Sequence, residues 1–71
     1  MTQTITAAFA AIGAARNAVD ELISAGFDQD KVFLDKEPCH VKVMVPDTAQ
    51  PEVEEILRRH EPTEVWARPV E

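Results

Sequence analysis

Only one cysteine, Cys39, occurs among the 71 residues of the chain. A single cysteine excludes an intramolecular disulfide framework, which is typical of small secreted domains. The chain also lacks a run of about 20 apolar residues, the length that a membrane-spanning helix needs. Its first residues carry no basic segment of the kind that opens a signal peptide. These absences predict a soluble, cytoplasmic protein.

Basic side chains are few as well. The chain has 7 lysines and arginines against 13 aspartates and glutamates, which gives a net charge of −6. An acidic surface repels the phosphates of nucleic acids and anionic lipid headgroups, so we expect neither nucleic acid nor a membrane as a partner. Hydrophobic residues form 45% of the chain and charged residues 28%, as in ordinary folded proteins. This length and composition predict a single domain over residues 1–71.

Motifs of known chemistry are also missing. The sequence contains no glycine-rich phosphate loop, no G-x-S-x-G and no H-E-x-x-H. Cys39 and His40 are residue types that bind metals, but neighbours in an extended chain point to opposite sides, and no partner follows at ligand spacing. His60 is expected to be a structural residue near the end of a helix. The sequence therefore predicts a protein that is not an enzyme and that has no cofactor or metal.

The clearest element is a helix within Ala14–Phe27. Its apolar side chains recur at helical spacing and form one stripe: Ala15, Ala18, Val19 and Leu22. Gly26 can adopt the left-handed conformation that closes a helix, and Phe27 follows where a Schellman motif places its apolar contact. A helix with one apolar stripe needs a surface to cover, and short strands on both sides supply it.

Four segments alternate between polar and apolar residues, as half-buried strands do. They are Thr4–Phe9, Val32–Asp35, His40–Val45 and Thr63–Arg68. The connection Lys36–Cys39, which contains Pro38, is typical of a hairpin. A second helix is expected to begin between Thr48 and Pro51 and to end before Pro62, with a buried stripe of Val53, Ile56 and Leu57 continued by His60.

The resulting order is β-α-β-β-α-β, which predicts an α+β, ferredoxin-like fold. Right-handed crossovers then give a four-stranded antiparallel sheet in the order 4-1-3-2. Both helices are expected on one face of this sheet, and the other face stays open.

Charge decides which side chains lie on the open face. Turning Trp66 inward would also bury Glu64 and Arg68, at a cost of several kcal/mol each, and the same argument applies to Phe33. The residues assigned to the open face are Thr4, Thr6, Ala8, Phe33, His40, Lys42, Met44 and Trp66. Two outward aromatic residues predict an interface, although scattered apolar side chains are also normal on surfaces. The candidate interface residues are Thr4, Thr6, Phe33, Lys42, Met44 and Trp66.

The leading functional hypothesis is self-association as a homodimer, or binding of a protein partner, through this face. The alternative is a small-ligand or metal-sensing regulatory domain, which is motivated by Cys39, His40 and His60. An RNA-recognition domain shares the topology but needs basic and aromatic residues on its two central strands. The outward residues of those strands here do not form that pattern, which argues against this alternative. An enzyme with a dimeric barrel cavity ranks third, because so short a chain leaves little room for a pocket of several hundred Å³.

A resemblance to a known family is carried by five segments, in the order TITAAF, ELISAGF, DQDKVFLD, HVKVMV and EILRRHEP. In this pattern the chain resembles the small bacterial general-stress (heat-induced stress protein) domain family. The likeness is most recognisable at Ala25–Phe27, where a helix ends before an acidic turn and a strand. The resemblance implies a ferredoxin-like fold in a stress-related family, and it implies no agreed activity and no catalytic residues.

Overall fold

Two helices cover one face of a four-stranded antiparallel sheet in the computed structural model of the protein, which describes residues 2–37 and 39–69. The strands are β1 (Thr2–Ala8), β2 (Val32–Asp35), β3 (His40–Pro46) and β4 (Glu64–Pro69). The helices are α1 (Ile12–Ser24) and α2 (Gln50–Arg58), and short 3₁₀ turns span Gln29–Lys31 and Asp47–Ala49. The strand order is β2-β3-β1-β4, so the predicted ferredoxin-like α+β fold is confirmed.

The end of α1 has the predicted geometry. Gly26 has φ +102°, in the left-handed region that favours glycine. The N–H of Phe27 donates to the carbonyl of Leu22 at 3.1 Å, and the N–H of Gly26 donates to that of Ile23 at 3.0 Å. This pair of hydrogen bonds defines a Schellman motif, and it directs the chain from α1 towards β2. The start of α1 has no side-chain cap, since Ala11 stands at that position.

The strand ends differ slightly from the prediction. β1 covers Thr2–Ala8 instead of Thr4–Phe9, and β4 covers Glu64–Pro69 instead of Thr63–Arg68. Thr63 closes the entry to β4, because both its N–H and its hydroxyl donate to the carbonyl of Ala8, at 2.7 and 3.2 Å. β2 and β3 pair antiparallel, as a hairpin requires. Pro38, which is predicted to lie within that hairpin connection, falls outside the described residues.

α2 begins at Gln50, with Pro51 in its first turn, where the missing N–H costs no helical hydrogen bond. Val53, Ile56 and Leu57 are buried as predicted. His60 does not continue this stripe within the helix, because α2 ends at Arg58. Instead, His60 lies half-buried in the turn that follows.

One core fills the space between the helices and the sheet. Its buried members are Ile5, Ala7, Phe9, Ala15, Ala18, Leu22, Val32, Val41, Val43, Val45, Val53, Ile56 and Leu57. The register sets Ile5 opposite Val43 and Ala7 opposite Val41. Since side chains alternate along a strand, the same register places the residues between them on the open face. No helix within residues 2–37 and 39–69 has the length and apolar character needed to cross a bilayer.

Candidate functional site

The open face of the sheet carries side chains in rows that run across the strands. The middle row consists of Phe33, Lys42, Thr6 and Trp66. A second row consists of Asp35, His40, Ala8 and Glu64, and a third of Met44, Thr4 and Arg68. We call these eleven residues the open face. All six candidate interface residues belong to it.

The six candidates differ in how much surface they offer. Phe33, on the edge strand β2, is 48% exposed and is one of two large apolar side chains that are well exposed on the described surface. Trp66, on the opposite edge strand β4, is half-buried, as are Thr4 and Met44. Thr6 is only 5% exposed, because it lies between the longer side chains of Lys42 and Trp66. Thr6 therefore lies beneath these two side chains and contributes little contact area of its own.

Trp66 is held against His40 across the central strand. The ring centroids are 5.6 Å apart, and the planes meet at 85°, an edge-to-face contact. The two residues lie on β4 and β3, which flank β1, so the rings meet above β1. The small side chains of Thr6 and Ala8 leave space for this contact, which restrains the orientation of the indole ring.

A shallow hollow of about 460 Å³ lies beside this aromatic pair. Its lining consists of Thr4, Thr6, His40, Lys42, Trp66, Arg68 and Pro69. Four candidate interface residues meet there, whereas Phe33 and Met44 lie outside it. Arg68 is absent from the predicted candidate set, although it shares the facing of Trp66 through the two-residue period of the strand. His40 is predicted to lie on the open face but is not among the candidates.

Charges on the open face are balanced. Its acidic residues are Asp35 and Glu64, and its basic residues are Lys42 and Arg68. Nζ of Lys42 lies 3.4 Å from Oδ2 of Asp35, and both side chains are about half exposed. An exposed pair of this kind contributes at most about 1 kcal/mol. The open face is thus close to neutral on a chain whose net charge is −6.

A second polar cluster, formed by Glu21, His60, Arg59 and Glu55, lies on the helix side. Nε2 of His60 is 2.8 Å from Oε1 of Glu21, and Nη1 of Arg59 donates to Oε2 of the same carboxylate at 2.5 Å. An ionised carboxylate can only accept, so Nε2 of His60 carries the proton in this contact. These bonds join α1 to the turn after α2 and account for the placement of His60.

The cluster shifts two pKa values. The hydrogen bond from His60, followed by the positive charge of Arg59, lowers the pKa of Glu21 and outweighs the partial burial that opposes them. The hydrogen bond with Glu55 and the charge of Glu21 raise the pKa of Arg59. All these shifts favour the charged forms, so the cluster acts as an ionic clamp between the helices.

The residues that suggested a metal site lie apart. Cys39 packs against the core, and its Sγ donates to the carbonyl of Lys36 at 3.4 Å. His40 lies on the open face, and His60 lies in the ionic clamp on the other side of the sheet. Within the described ranges, no group of three or more histidine, cysteine, aspartate or glutamate residues could hold a metal ion. The metal-sensing alternative therefore has no ligand cluster to support it in that part of the chain.

No protein-family model, curated protein or solved structure matches the chain. The resemblance to the general-stress family therefore stays a prediction.

Proposed function

We propose that this domain is a non-enzymatic module that self-associates around Trp66 on its open face, with a second copy of the chain as its partner. The observation that supports this proposal most directly is the state of Trp66. This large aromatic side chain lies outside the helix-packed core, is oriented by His40, and stays partly accessible. Aromatic residues in such positions are the commonest energetic centres of protein interfaces. We also propose a cytoplasmic location, on the ground of the single cysteine, and a stress-related role, on the ground of the family resemblance.

Charge favours a second copy as the partner. Within α1 and α2 the acidic residues are Asp20, Glu21, Glu52, Glu54 and Glu55, and the basic residues are Arg16 and Arg58. Two helix sides would therefore repel each other, whereas the open faces carry balanced charge. Two copies of this acidic chain can therefore associate with the least repulsion where their helix sides do not face each other. A different protein partner is the alternative, and the experiment must distinguish it from a second copy of the chain.

Sedimentation equilibrium over about 10 µM to 1 mM protein tests the proposal, since it covers the affinities of weak dimers. The test variant is Trp66→Ser. The matched control is Ile23→Ser, because Ile23 is 41% exposed on α1, away from the open face. We expect Trp66→Ser to weaken dimerisation by about tenfold or more, as loss of an interface centre does, and Ile23→Ser to leave it unchanged. A wild-type chain that stays monomeric throughout this range would contradict self-association and favour a different partner.

The hollow on the open face favours a second candidate function, the binding of a small ligand. Its volume of about 460 Å³ lies within the range of ligand pockets. Lys42 and Arg68 on its lining would suit an anionic ligand. Titration of the chain with inorganic phosphate, followed by the fluorescence of Trp66, checks this candidate. A saturable change that Arg68→Gln abolishes would support it, and no change at millimolar phosphate would contradict it.

A further inference from the structure

The two edges of the sheet are β2 and β4. In the described part of the chain, β4 pairs with β1 alone, so its outer side has no strand beside it. The unpaired N–H and carbonyl groups of such an edge can pair with another strand. Pro69, the last residue of β4, has no N–H to donate. The segment suited to pairing is therefore Glu64–Arg68.

The sequence of this segment, EVWAR, has an acidic residue at one end and a basic residue at the other, so two antiparallel copies of it are complementary in charge. Opposite residues of antiparallel strands share one face of the sheet. If two copies of β4 pair antiparallel with Trp66 opposite Trp66, then Glu64 of each copy lies opposite Arg68 of the other. All of these side chains project from the open face. Opposite charges at facing positions stabilise a strand pair, and like charges destabilise it.

Both charged residues are available for this pairing. In the described part of the chain, neither Glu64 nor Arg68 makes an ion pair or a side-chain hydrogen bond. Their neighbours on β1 are Ala8 and Thr4, which are small and uncharged. The charges of β4 therefore have no competing partner within their own sheet.

We infer that the second copy adds along the outer edge of β4, so that two four-stranded sheets join into one eight-stranded sheet about a two-fold axis at Trp66. This geometry rests on the proposed self-association and specifies its interface. The two-fold axis is perpendicular to the sheet, so both open faces lie on the same side, with the two indole rings at the centre. The two α2 helices then run antiparallel on the other side. The acidic first half of each α2 then lies beside the end of the other α2, where Arg58 stands.

The other edge is less suited to pairing. β2 has four residues, and Asp35 at its end already pairs with Lys42. Lys31, the charge that would complement Asp35 across a β2 pair, lies in a 3₁₀ turn outside the strand. Pairing β2 antiparallel with β4 of another copy, with the aromatic residues opposite each other, would set Asp35 against Glu64. Charge therefore selects the pairing of β4 with β4.

Charge-reversal variants of the 71-residue chain test this geometry. Glu64→Arg turns both cross-strand pairs into arginine pairs, and Arg68→Glu turns both into glutamate pairs. Asp20→Arg and Arg16→Glu, on the exposed side of α1, change the net charge by the same amounts and are the matched controls. Sedimentation equilibrium gives the dimer affinity, and urea denaturation checks that each variant is folded.

We expect each β4 variant alone to dimerise about tenfold or more weakly than the wild type, since two attractive pairs become repulsive. An equimolar mixture of Glu64→Arg and Arg68→Glu should recover wild-type affinity, because all of its cross-strand pairs are opposite in charge. The double variant Glu64→Arg/Arg68→Glu should recover it as well. Mixing the two α1 controls should change nothing.

Phe33→Ser separates this geometry from the association of two open faces packed against each other. Phe33 lies on the far edge strand, so pairing through β4 leaves its substitution without effect. If Phe33→Ser weakens the dimer while the β4 variants and their mixture keep wild-type affinity, the β4 geometry is overturned. Self-association still stands in that case. A wild-type chain that is monomeric up to about 1 mM would overturn both.

Discussion

Successive residues of β1 show how the two faces of the sheet differ. Ile5 faces the helices and is fully buried, at 0% exposure. Thr6 faces the other way and is almost as inaccessible, at 5%. Helices from elsewhere in the chain cover Ile5, whereas among the described residues Thr6 is covered by neighbouring side chains of the same sheet. Low exposure therefore has two causes here. Packing between the helices and the sheet, as at Ile5, holds the tertiary structure together, whereas cover by neighbours on the same sheet, as at Thr6, does not.

The two faces should also differ in what a substitution changes. Substitutions on the helix-packed face should lower the free energy of unfolding, because they remove apolar contacts between layers. Substitutions on the open face should mainly change association, because no second layer of the described structure packs on it. Leu22→Ala and Trp66→Ser test this division. Two further sets of variants test the ends of α1 and the ionic clamp, and all four follow from the largest expected effect to the smallest.

Leu22→Ala should have the largest effect on stability. Leu22 is fully buried between α1 and the sheet, and removing such a side chain costs about 2–5 kcal/mol. Ile23→Ala is the matched control, since Ile23 is adjacent but 41% exposed. Urea denaturation measures both. A loss below about 1 kcal/mol for Leu22→Ala, as is typical of surface sites, would mean that α1 does not pack as described.

Trp66→Ser should cost less stability than Leu22→Ala, although it removes a larger side chain. The indole ring contacts His40 on a face where residues 2–37 and 39–69 form no covering layer, so we expect a loss of about 1 kcal/mol. His40→Ala, which removes the ring partner and leaves the tryptophan, should cost no more. A loss for Trp66→Ser as large as that for Leu22→Ala would show that Trp66 belongs to the core. Denaturation at a concentration low enough to keep the chain monomeric makes the comparison.

The two glycines should respond to alanine with opposite signs. Gly26 has φ +102°, so Gly26→Ala strains the end of α1 and should cost about 1 kcal/mol. Gly13 lies within α1, and a Cβ there would meet nothing within 4 Å. Gly13→Ala should therefore stabilise the chain by a few tenths to about 1 kcal/mol. Equal effects of the two substitutions on the midpoint of thermal unfolding would contradict the described helix ends.

Acid should weaken the ionic clamp between the helices. The hydrogen bond from His60 and the charge of Arg59 lower the pKa of Glu21 below its usual value of 4.5. A folded-state pKa below the unfolded one adds stability above the unfolded value, and this stability is lost as the pH falls through the lowered value. We therefore expect the contribution of Glu21 to be complete above pH 4.5 and to disappear below it.

The variant Glu21→Gln isolates this contribution, because it keeps the shape of the side chain but cannot ionise. The difference in free energy of unfolding between wild type and Glu21→Gln should shrink as the pH falls. Asp20→Asn, on the same helix, is the control, and its difference from wild type is measured over the same pH range. The effect should be the smallest of the four, since the clamp is solvent-accessible. A difference that stays constant from about pH 6 to 3 would contradict the pKa shift.

Much of the open face could be predicted from the pattern of residues alone. Alternation along β1, β3 and β4 assigned the facing, and the charges beside Trp66 decided its direction, because burying Glu64 and Arg68 would cost more than exposing one indole. The inaccessibility of Thr6 could not be predicted in this way. It depends on the register, which sets Lys42 and Trp66 on either side of it.

By itself, the sequence determined the order of the elements, their apolar stripes and the Schellman motif at Gly26, because these depend on residues a few positions apart. Tertiary structure alone decided the contacts between distant residues. Glu21 meets His60 across 39 positions, and Trp66 meets His40 across β1. Neither pair has a local pattern that could signal it. The physical reason is that such contacts require strand order, register and helix placement together, and these are settled only when the whole core packs.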